Sequence, residues 1–380
     1  MQIGEGAFGE VFLLPKEDQE EGDEGNNRDH PVVKIVPVGG QALVNEQPQT
    51  QLQDMMAEII ISTELSRLAS SVEERTTAAR RRSKEASEIC DAESVAMATA
   101  PGFLNIRRCN LIRGNYPPIL LTKWDEYQDA KGSDNERPDT ALFPVDSMQK
   151  FVVLEMSNGG EDLENVILNN ASVGLAIFQQ VAHALGIAEK AYQFEHRDLH
   201  WGNVLVRDTS EKAISYSYES REFEVETLGK CATIIDFSLS RMRVPRDECD
   251  IFNNLAEDPE LFSSEGEPGG DYQFDIYRYI PRYIVYLYLL LPPNVAFFIH
   301  SSFRKMKAHT GNEWKGFFPK TNVMWLHYLL DKLINQVYYR NKKSKVHRSA
   351  LSKMRTLHND FLTQFHSAYD YICTTVKDTQ

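Results

Sequence analysis

Basic residues, cysteines and unbroken apolar runs are scarce in this 380-residue sequence. Lysine and arginine number 41 against 55 aspartates and glutamates, a formal net charge of −14. A chain with that balance does not grip a polyanion with its whole surface. It fits a soluble enzyme and favours a cationic substrate. The cysteines (Cys90, Cys109, Cys231, Cys249 and Cys373) are widely spread and form no CxxC, which argues against a disulfide framework or zinc site and for a reducing compartment. The first residues, MQIGEGAFGEVF, lack the basic-then-apolar design of a secretory signal. The apolar run Tyr283–Leu291 spans nine residues and stops at Pro292-Pro293-Asn294. A bilayer-spanning helix needs about 20 apolar residues, and a double proline breaks its hydrogen-bond ladder, so no membrane span is expected. What remains is 42% hydrophobic and 25% charged, ordinary globular composition. It excludes collagen-like, coiled-coil and wholly disordered chains, and its length suits two average domains or one large two-lobed domain.

The front of the chain reads as β-rich. Residues 1–15 predict a strand, a glycine turn and a second strand, and Val32–Val38 is a β-branched run that predicts a third. Between them, residues 16–30 carry seven acids and no large apolar side chain, the pattern of a solvated loop. Asp54 is placed to start a helix through Leu68, with Ile61, Leu65 and Leu68 at helical spacing. Residues 69–100 read as an insertion. Strands are then expected near Ile119–Thr122 and at Phe151–Met156, with a polar loop at Gln128–Asp139 between them. After Gly159-Gly160 the pattern turns helical: Asp162–Asn169, Val173–Phe194, Met324–Val337 and Leu351–Val376. The expected fold is α+β, a β-rich front followed by a mainly helical back.

Several short patterns carry chemistry. Gly4, Gly6 and Gly9 form a GxGxxG cluster, where missing side chains let a backbone approach phosphate. Such a cluster is sometimes only a turn, and in a dinucleotide fold its last glycine should open a helix. Here strand residues follow, and the trailing Val11 matches the kinase form GxGxxGxV. Lys34 lies within the apolar run Val32–Val36; it suits an edge-strand lysine reaching water, or a phosphate-binding lysine held by a carboxylate. Glu58, three and seven residues before Ile61 and Leu65, shares their inward face and is the candidate partner. The string His196-Arg197-Asp198-Leu199-His200-Trp201-Gly202-Asn203 sets an aspartate five residues before an asparagine. Phosphoryl transfer needs a carboxylate to take the hydroxyl proton and an amide oxygen to hold a metal. Asp236, in Ile235-Asp236-Phe237-Ser238, follows an apolar strand and offers a second carboxylate for Mg²⁺. Each piece arises alone by chance; their combined order does not.

These residues resemble a eukaryotic protein kinase, and the strings HRDLHWGNVLV, IIDFSLSR, GDYQFDIYR and VMWLHYL resemble the haspin family in particular. EIIISTEL and KGSDNERPD support the same match. The resemblance implies a bilobal protein-kinase-like fold: an N-terminal lobe over 1–155, a hinge over 156–161 and a C-terminal lobe over 162–380. It implies ATP with Mg²⁺ as cofactors. Lys34 would bind the α- and β-phosphates, Glu58 would hold Lys34, Asp198 would be the catalytic base, and Asn203 and Asp236 would ligate metal. Gly4, Gly6, Gly9 and Val11 would cover the nucleotide. Met156 falls at the gatekeeper, Ser157, Asn158 and Gly159 at the adenine hinge, and Asp162 where the family contacts ribose or substrate. The family's substrate is the threonine third in the histone tail that begins Ala-Arg-Thr-Lys. Glu5, His200, Asp258 and Glu260 match positions lining the cleft for that basic tail. A mitotic role, nuclear and chromosomal location and a monomer follow as expectations. His200 and Ser238 depart from the common kinase pattern and no Ala-Pro-Glu follows, departures that the family shares, and the resemblance to that family implies activity without activation-loop phosphorylation.

Arg340, Lys342, Lys343, Lys345, Arg348, Lys353 and Arg355 crowd one segment of an acidic protein. Such a run is usually a solvated face; with a chromatin substrate it would touch DNA phosphate. Two departures from the family stand out. The chain starts three residues before Gly4, the expectation for a truncated gene model or fragment lacking the family's first strand and long N-terminal region. Arg278 and Arg304 both fit the residue after Asp-Ile-Tyr, so the residues between them, about 279–303, read as a retained intron translated in frame or as a genuine insertion. The rival functional readings are a pseudokinase that only binds a histone tail, a kinase of another basic substrate, and a small-molecule kinase of similar fold.

Overall fold

The computed structural model describes residues 1–6, 9–15, 30–69, 98–133, 135–245, 248–257 and 306–375. The apolar run at 283–291, the GDYQFDIYR string, Asp258 and Glu260, and nearly all of the 16–30, 69–100 and 279–303 segments lie outside them. The chain divides into two compact units: residues 1–66 with 104–160, and residues 67–103 with 161–380.

The first unit is a five-stranded antiparallel sheet. Its strands are β1 (Gln2–Gly6), β2 (Gly9–Leu13), β3 (Val32–Val38), β4 (Ile106–Arg113) and β5 (Lys150–Met156), in the order β1-β2-β3-β5-β4. Its helices are α1 (Leu52–Ala69) and α2 (Pro118–Lys131). Strand β3 is covered on both faces, which is why it is apolar almost throughout. Val32, Val36 and Val38 pack with Met55 of α1, whereas Val33 and Ile35 pack with Tyr116, Phe143 and Phe151 on the other face. By strand parity Lys34 belongs to the α1 face.

Two expectations for this unit change. Ile119–Thr122, expected as a strand, is the first part of α2. Pro117 and Pro118 account for it: an extended Pro117 precedes the helix and Pro118 supplies a preset φ in its first turn, where a missing N–H costs nothing. The polar loop expected from Gln128 therefore begins only after Lys131.

The second unit is built around α3 (Ala171–Tyr192), whose side chains are almost all buried. By length and composition α3 could cross a membrane, but it is the core helix of this unit. Asn170 caps it by accepting from Ser172 N at 2.9 Å. Short antiparallel pairs surround it: β6 (Glu161–Asp162), β7 (Val204–Asp208) and β10 (Lys230–Ile234) in one sheet; β8 (Ala213–Tyr218), β9 (Arg221–Glu226) and the two-residue strand Ala98–Thr99 in another; β11 (Arg241–Val244) and β12 (Cys249–Phe252) in a third. The helices that follow are α4 (Met306–Thr310), α5 (Lys320–Asn335), α6 (Lys345–Gln364) and α7 (Ala368–Cys373).

The helix expected over Asp162–Asn169 is absent. Asp162 pairs with Leu205, and its Oδ1 accepts from Asn165 N at 2.9 Å, a local bond that competes with helix formation. The single helix expected from Leu351 to Val376 is two, broken before Ser367, which caps α7 by accepting from Asp370 N at 2.9 Å.

Candidate active site

In the first unit, the glycine cluster closes the β1–β2 hairpin, with Gly6 opposite Gly9. Gly9 is required for an internal reason. A Cβ there would lie 2.3 Å from the Ile35 carbonyl oxygen of β3, whereas one on Gly4 would meet nothing within 4 Å. Val11 pairs with Lys34 across β2 and β3. Lys34 Nζ lies 3.6 Å from Glu58 Oε1, and the two side chains keep 25% and 12% exposure. Glu58 is one helical turn after Met55, which faces the same side of β3. The pair is thus largely covered, with the lysine the more exposed of the two. Strand β5 ends at the buried Met156, and two hydrogen bonds anchor the residues that follow. Ser157 N donates to the Asn105 carbonyl at 2.9 Å, and Gly160 N donates to Asn158 Oδ1 at 3.0 Å. Gly159 is buried between those anchors.

In the second unit, the 196–203 loop follows α3 and is fixed almost entirely by its own atoms. His196 is fully buried; its Nε2–H donates to the Ile235 carbonyl at 3.0 Å and its Nδ1 accepts from Asp198 N at 3.3 Å. Those bonds fix the neutral tautomer, and burial holds the imidazole down at about 4. Asn203 Nδ2 donates to the Asp198 carbonyl at 2.9 Å. His200 Nδ1 accepts from Gly202 N at 3.1 Å, shaping the turn between them. Ile235 N donates to the Asn203 carbonyl at 3.0 Å, tying the next strand to the loop. Asp236 has φ +61°, a left-handed conformation rare for a non-glycine residue, and its Oδ1 accepts from Ser238 N at 3.1 Å. Phe237 is buried in an aromatic cluster with Phe103, Phe194 and His196, ring centroids 5.6–6.2 Å apart.

The donor set of this loop suits a divalent metal. Asn203 uses its amide nitrogen on Asp198, leaving Oδ1 as the side chain's acceptor, and Asp236 supplies a carboxylate. An oxygen-only set with one or two protein ligands is what Mg²⁺ takes when substrate phosphates complete its shell. Among the described residues no cluster of three or more His, Cys, Asp or Glu forms an all-protein metal cage. The residues therefore fit a metal that arrives with a nucleotide.

Sequence patterning did not single out the residues that hold Arg197. This arginine, with φ +67°, is fully buried, and its Nη2 lies 3.2 Å from the equally buried Glu195 Oε1. Glu195 also accepts from Phe318 N at 2.9 Å and Thr321 Oγ1 at 2.8 Å. The Trp314 ring lies 5.4 Å from the guanidinium carbon. Burial pulls the Arg197 pKa down and Glu195 pushes it back up. The adjoining Arg241 pairs with Asp250 at 2.7 Å across β11 and β12. Glu195 stands directly before His-Arg-Asp, the only sequence signal that could have marked it.

A strand lysine paired to a helix glutamate in one unit, and a central helix leading into a self-fixed His-Arg-Asp loop in the other, define a protein-kinase-like domain. The family model for the haspin-like kinase domain matches residues 22–371. The chain is 35% identical over 377 residues to the serine/threonine-protein kinase haspin of Bos taurus, covering 98% of this chain and 39% of that protein. It is 32% identical over 367 residues to the Drosophila melanogaster haspin homolog, covering 97% and 54%. Against the Arabidopsis thaliana homolog the figures are 30% over 355 residues, 93% and 47%. This chain belongs to the haspin-like kinase family. It spans about half, or less, of the length of these relatives. The family implies ATP and a divalent metal as cofactors and a protein substrate.

Proposed function

We infer that this domain is an ATP-dependent serine/threonine protein kinase of haspin type, using Mg²⁺. Its substrate is the threonine third in the histone tail that begins Ala-Arg-Thr-Lys, phosphorylated during mitosis by a monomer on chromosomes in the nucleus. The observation that carries the reading is the Asn203–Asp198 bond. It joins the two residues through a side-chain nitrogen and a backbone carbonyl, so the aspartate and the asparagine of the loop are held in a fixed relation and Asn203 keeps its Oδ1 as the acceptor for a metal. Asp198 accepts the threonine proton. Lys34 balances the charge of the transferring phosphoryl group, and Asn203 and Asp236 would hold the metal ions that would supply further positive charge there. Gly4, Gly6, Gly9 and Val11 cover the nucleotide, Met156 to Gly159 take the adenine, and Asp162 takes ribose or substrate. Glu5, His200, Asp258 and Glu260 receive the basic tail. A peptide phosphorylation assay comparing wild type with Asp198→Asn tests this. The variant should lose activity by roughly 10²- to 10⁴-fold, the usual range for a positioned base. Equal activity would remove Asp198 from that role. A wild type that binds the peptide without phosphotransfer would favour the pseudokinase reading.

Activity without activation-loop phosphorylation is supported by Arg197. Kinases that need such phosphorylation order the loop through new arginine–phosphate pairs. Here this arginine is fully buried against a carboxylate already in the chain.

Contact with chromatin is supported by α6 and the residues before it. Arg340, Lys342, Lys343, Lys345, Arg348, Lys353 and Arg355 are all exposed. At 100° per residue, Lys345, Arg348, Ser352, Arg355 and Asn359 fall on one outer stripe, opposite the buried His347, Ala350, Met354 and Phe361. Arginine, lysine, serine and asparagine are the side chains that contact nucleic-acid phosphate. Arg348→Glu with Arg355→Glu should weaken nucleosome binding and flatten its log–log salt slope by about 0.9 per lost phosphate contact. An unchanged slope would remove DNA as the partner.

A further inference from the structure

We propose that Ser133 and residues 135–139 form a strap that positions the glycine-rich β1–β2 hairpin, with Asn135 as its positioning residue. The proposal rests on the reading above that this hairpin holds a nucleotide. Its starting point is an electrostatic conflict within the hairpin. Glu5 on β1 and Glu10 on β2 are direct cross-strand partners, two acidic side chains at a site where like charges destabilise a sheet once both ionise. Glu10 is only 4% exposed, so the conflict is not relieved by water.

The strap supplies donors to both carboxyl groups. Ser133 Oγ donates to Glu5 Oε2. Asn135 Nδ2 donates to Glu10 Oε1 at 3.0 Å, while Gln2 Nε2 donates to Glu10 Oε2 at 2.6 Å. Asn135 N donates back to Ser133 Oγ at 3.1 Å, so the two contacts are linked.

The strap is itself anchored on two other elements. Asn45, in the loop after β3, donates from Nδ2 to Asn135 Oδ1 at 2.7 Å. Asn45 and Glu136 exchange reciprocal bonds, Asn45 N to Glu136 Oε2 at 3.0 Å and Glu136 N to Asn45 Oδ1 at 2.8 Å. Arg137 forks onto both oxygens of Asp125 in α2, at 2.7 and 2.9 Å, and reaches Asp139 Oδ2 at 2.7 Å. A chain held at α2 and at the β3 loop, and reaching both strands of the hairpin, fixes where the hairpin lies. Its side-chain bonds to the hairpin end on Glu5 and Glu10.

Titration of Glu10 supports this. Burial first, with the Glu5 charge adding to it, raises this carboxyl to about 7, while the Asn135 and Gln2 bonds oppose the shift. The other titratable groups facing it are Tyr116, before α2, and Tyr127 on α2, both raised in part by the Glu10 charge. As Glu10 ionises, the need for the Asn135 donor grows.

The test uses the full chain with Asn135→Ala, Asn135→Asp and the milder Ser133→Ala. Hydrogen exchange of the amides at 2–13 is read without nucleotide, and ATP kinetics are read from pH 6 to 8. Asn135→Ala should speed hairpin exchange and raise KM for ATP about fivefold, the size of one net hydrogen bond, with kcat within about twofold. Asn135→Asp keeps the shape but replaces a donor with a third acid, so its defect should be larger and grow with pH. Ser133→Ala should give the same pattern, weaker, if Asn135 variants fold poorly. Unchanged hairpin exchange and unchanged KM at equal thermal midpoint would overturn the strap, as would equal losses in KM and kcat. A wild type that does not bind ATP would overturn the nucleotide reading and this role together. Faster hairpin exchange in the variants would then show only a structural tether.

Discussion

Two ion pairs of nearly equal length do opposite work. Lys34–Glu58 measures 3.6 Å and keeps 25% and 12% of its side chains exposed; Arg197–Glu195 measures 3.2 Å and keeps none. The first lies on the α1 face of a sheet and leaves a quarter of the lysine side chain exposed. The second is closed by Trp314, Phe318 and Thr321, so its charge is already answered inside the fold. Length says little about the role of a pair; burial decides whether it serves a ligand or the fold.

Breaking the closed pair gives the largest stability effect. Glu195→Ala leaves a buried guanidinium without its carboxylate and should destabilise the second unit by about 3–5 kcal/mol. Urea unfolding checks this, and a loss under 1 kcal/mol would mean the pair is not the lock that its burial suggests. Glu58→Gln should do the reverse. Stability should change by less than for Glu195→Ala, since this pair keeps some exposure and the other keeps none, while ATP-dependent activity falls. If unfolding shifts as far as for Glu195→Ala, the contrast between the pairs fails.

The smallest effect separates the units by pH. Glu10 in the first unit and Glu189 in the second are raised by burial to about 7 from 4.5. Each keeps its proton in the folded chain where the unfolded chain loses it. Their stabilisation is complete below about 4.5 and is lost as pH rises to about 7. His183 and His196, both in the second unit, are lowered by burial to about 4 from 6.5. Their contribution is present above 6.5 and is lost as pH falls towards 4. The second unit therefore carries opposing slopes, while the first carries the acid slope of Glu10. Glu10→Gln should flatten the pH dependence of exchange in residues 2–13 and leave that of α3 unchanged. Equal flattening in both would sink the separation.

Much of the frame was legible along the chain. Val32–Val38 is a strand with the bounds its β-branched run gives, and Glu58 lies on the inward face that its spacing to Ile61 and Leu65 requires. Local pattern failed where the signal was mixed. Ile119–Thr122 looks like a strand until the two prolines before it are read as a helix start. Asp162–Asn169 looks helical until the Asp162 side chain bonds to Asn165 N. The hairpin of β8 and β9 alternates buried Ile214 and Tyr216, Phe223 and Val225 with exposed or half-exposed neighbours, a period-two signal that was there to be read.

The sequence by itself determined the motifs and their spacing. An aspartate five residues before an asparagine, a second aspartate after an apolar strand, and a lysine in a covered strand are set by order and spacing along short stretches. Only the tertiary structure decided which charges are open and which are closed. Asn135 meets Glu10 across 125 residues, and Glu195 meets Phe318 across 123. Periodicity reports which face a residue occupies, but not what will stand opposite it. Burial and pairing set how a charge behaves, and both depend on neighbours that only folding brings together.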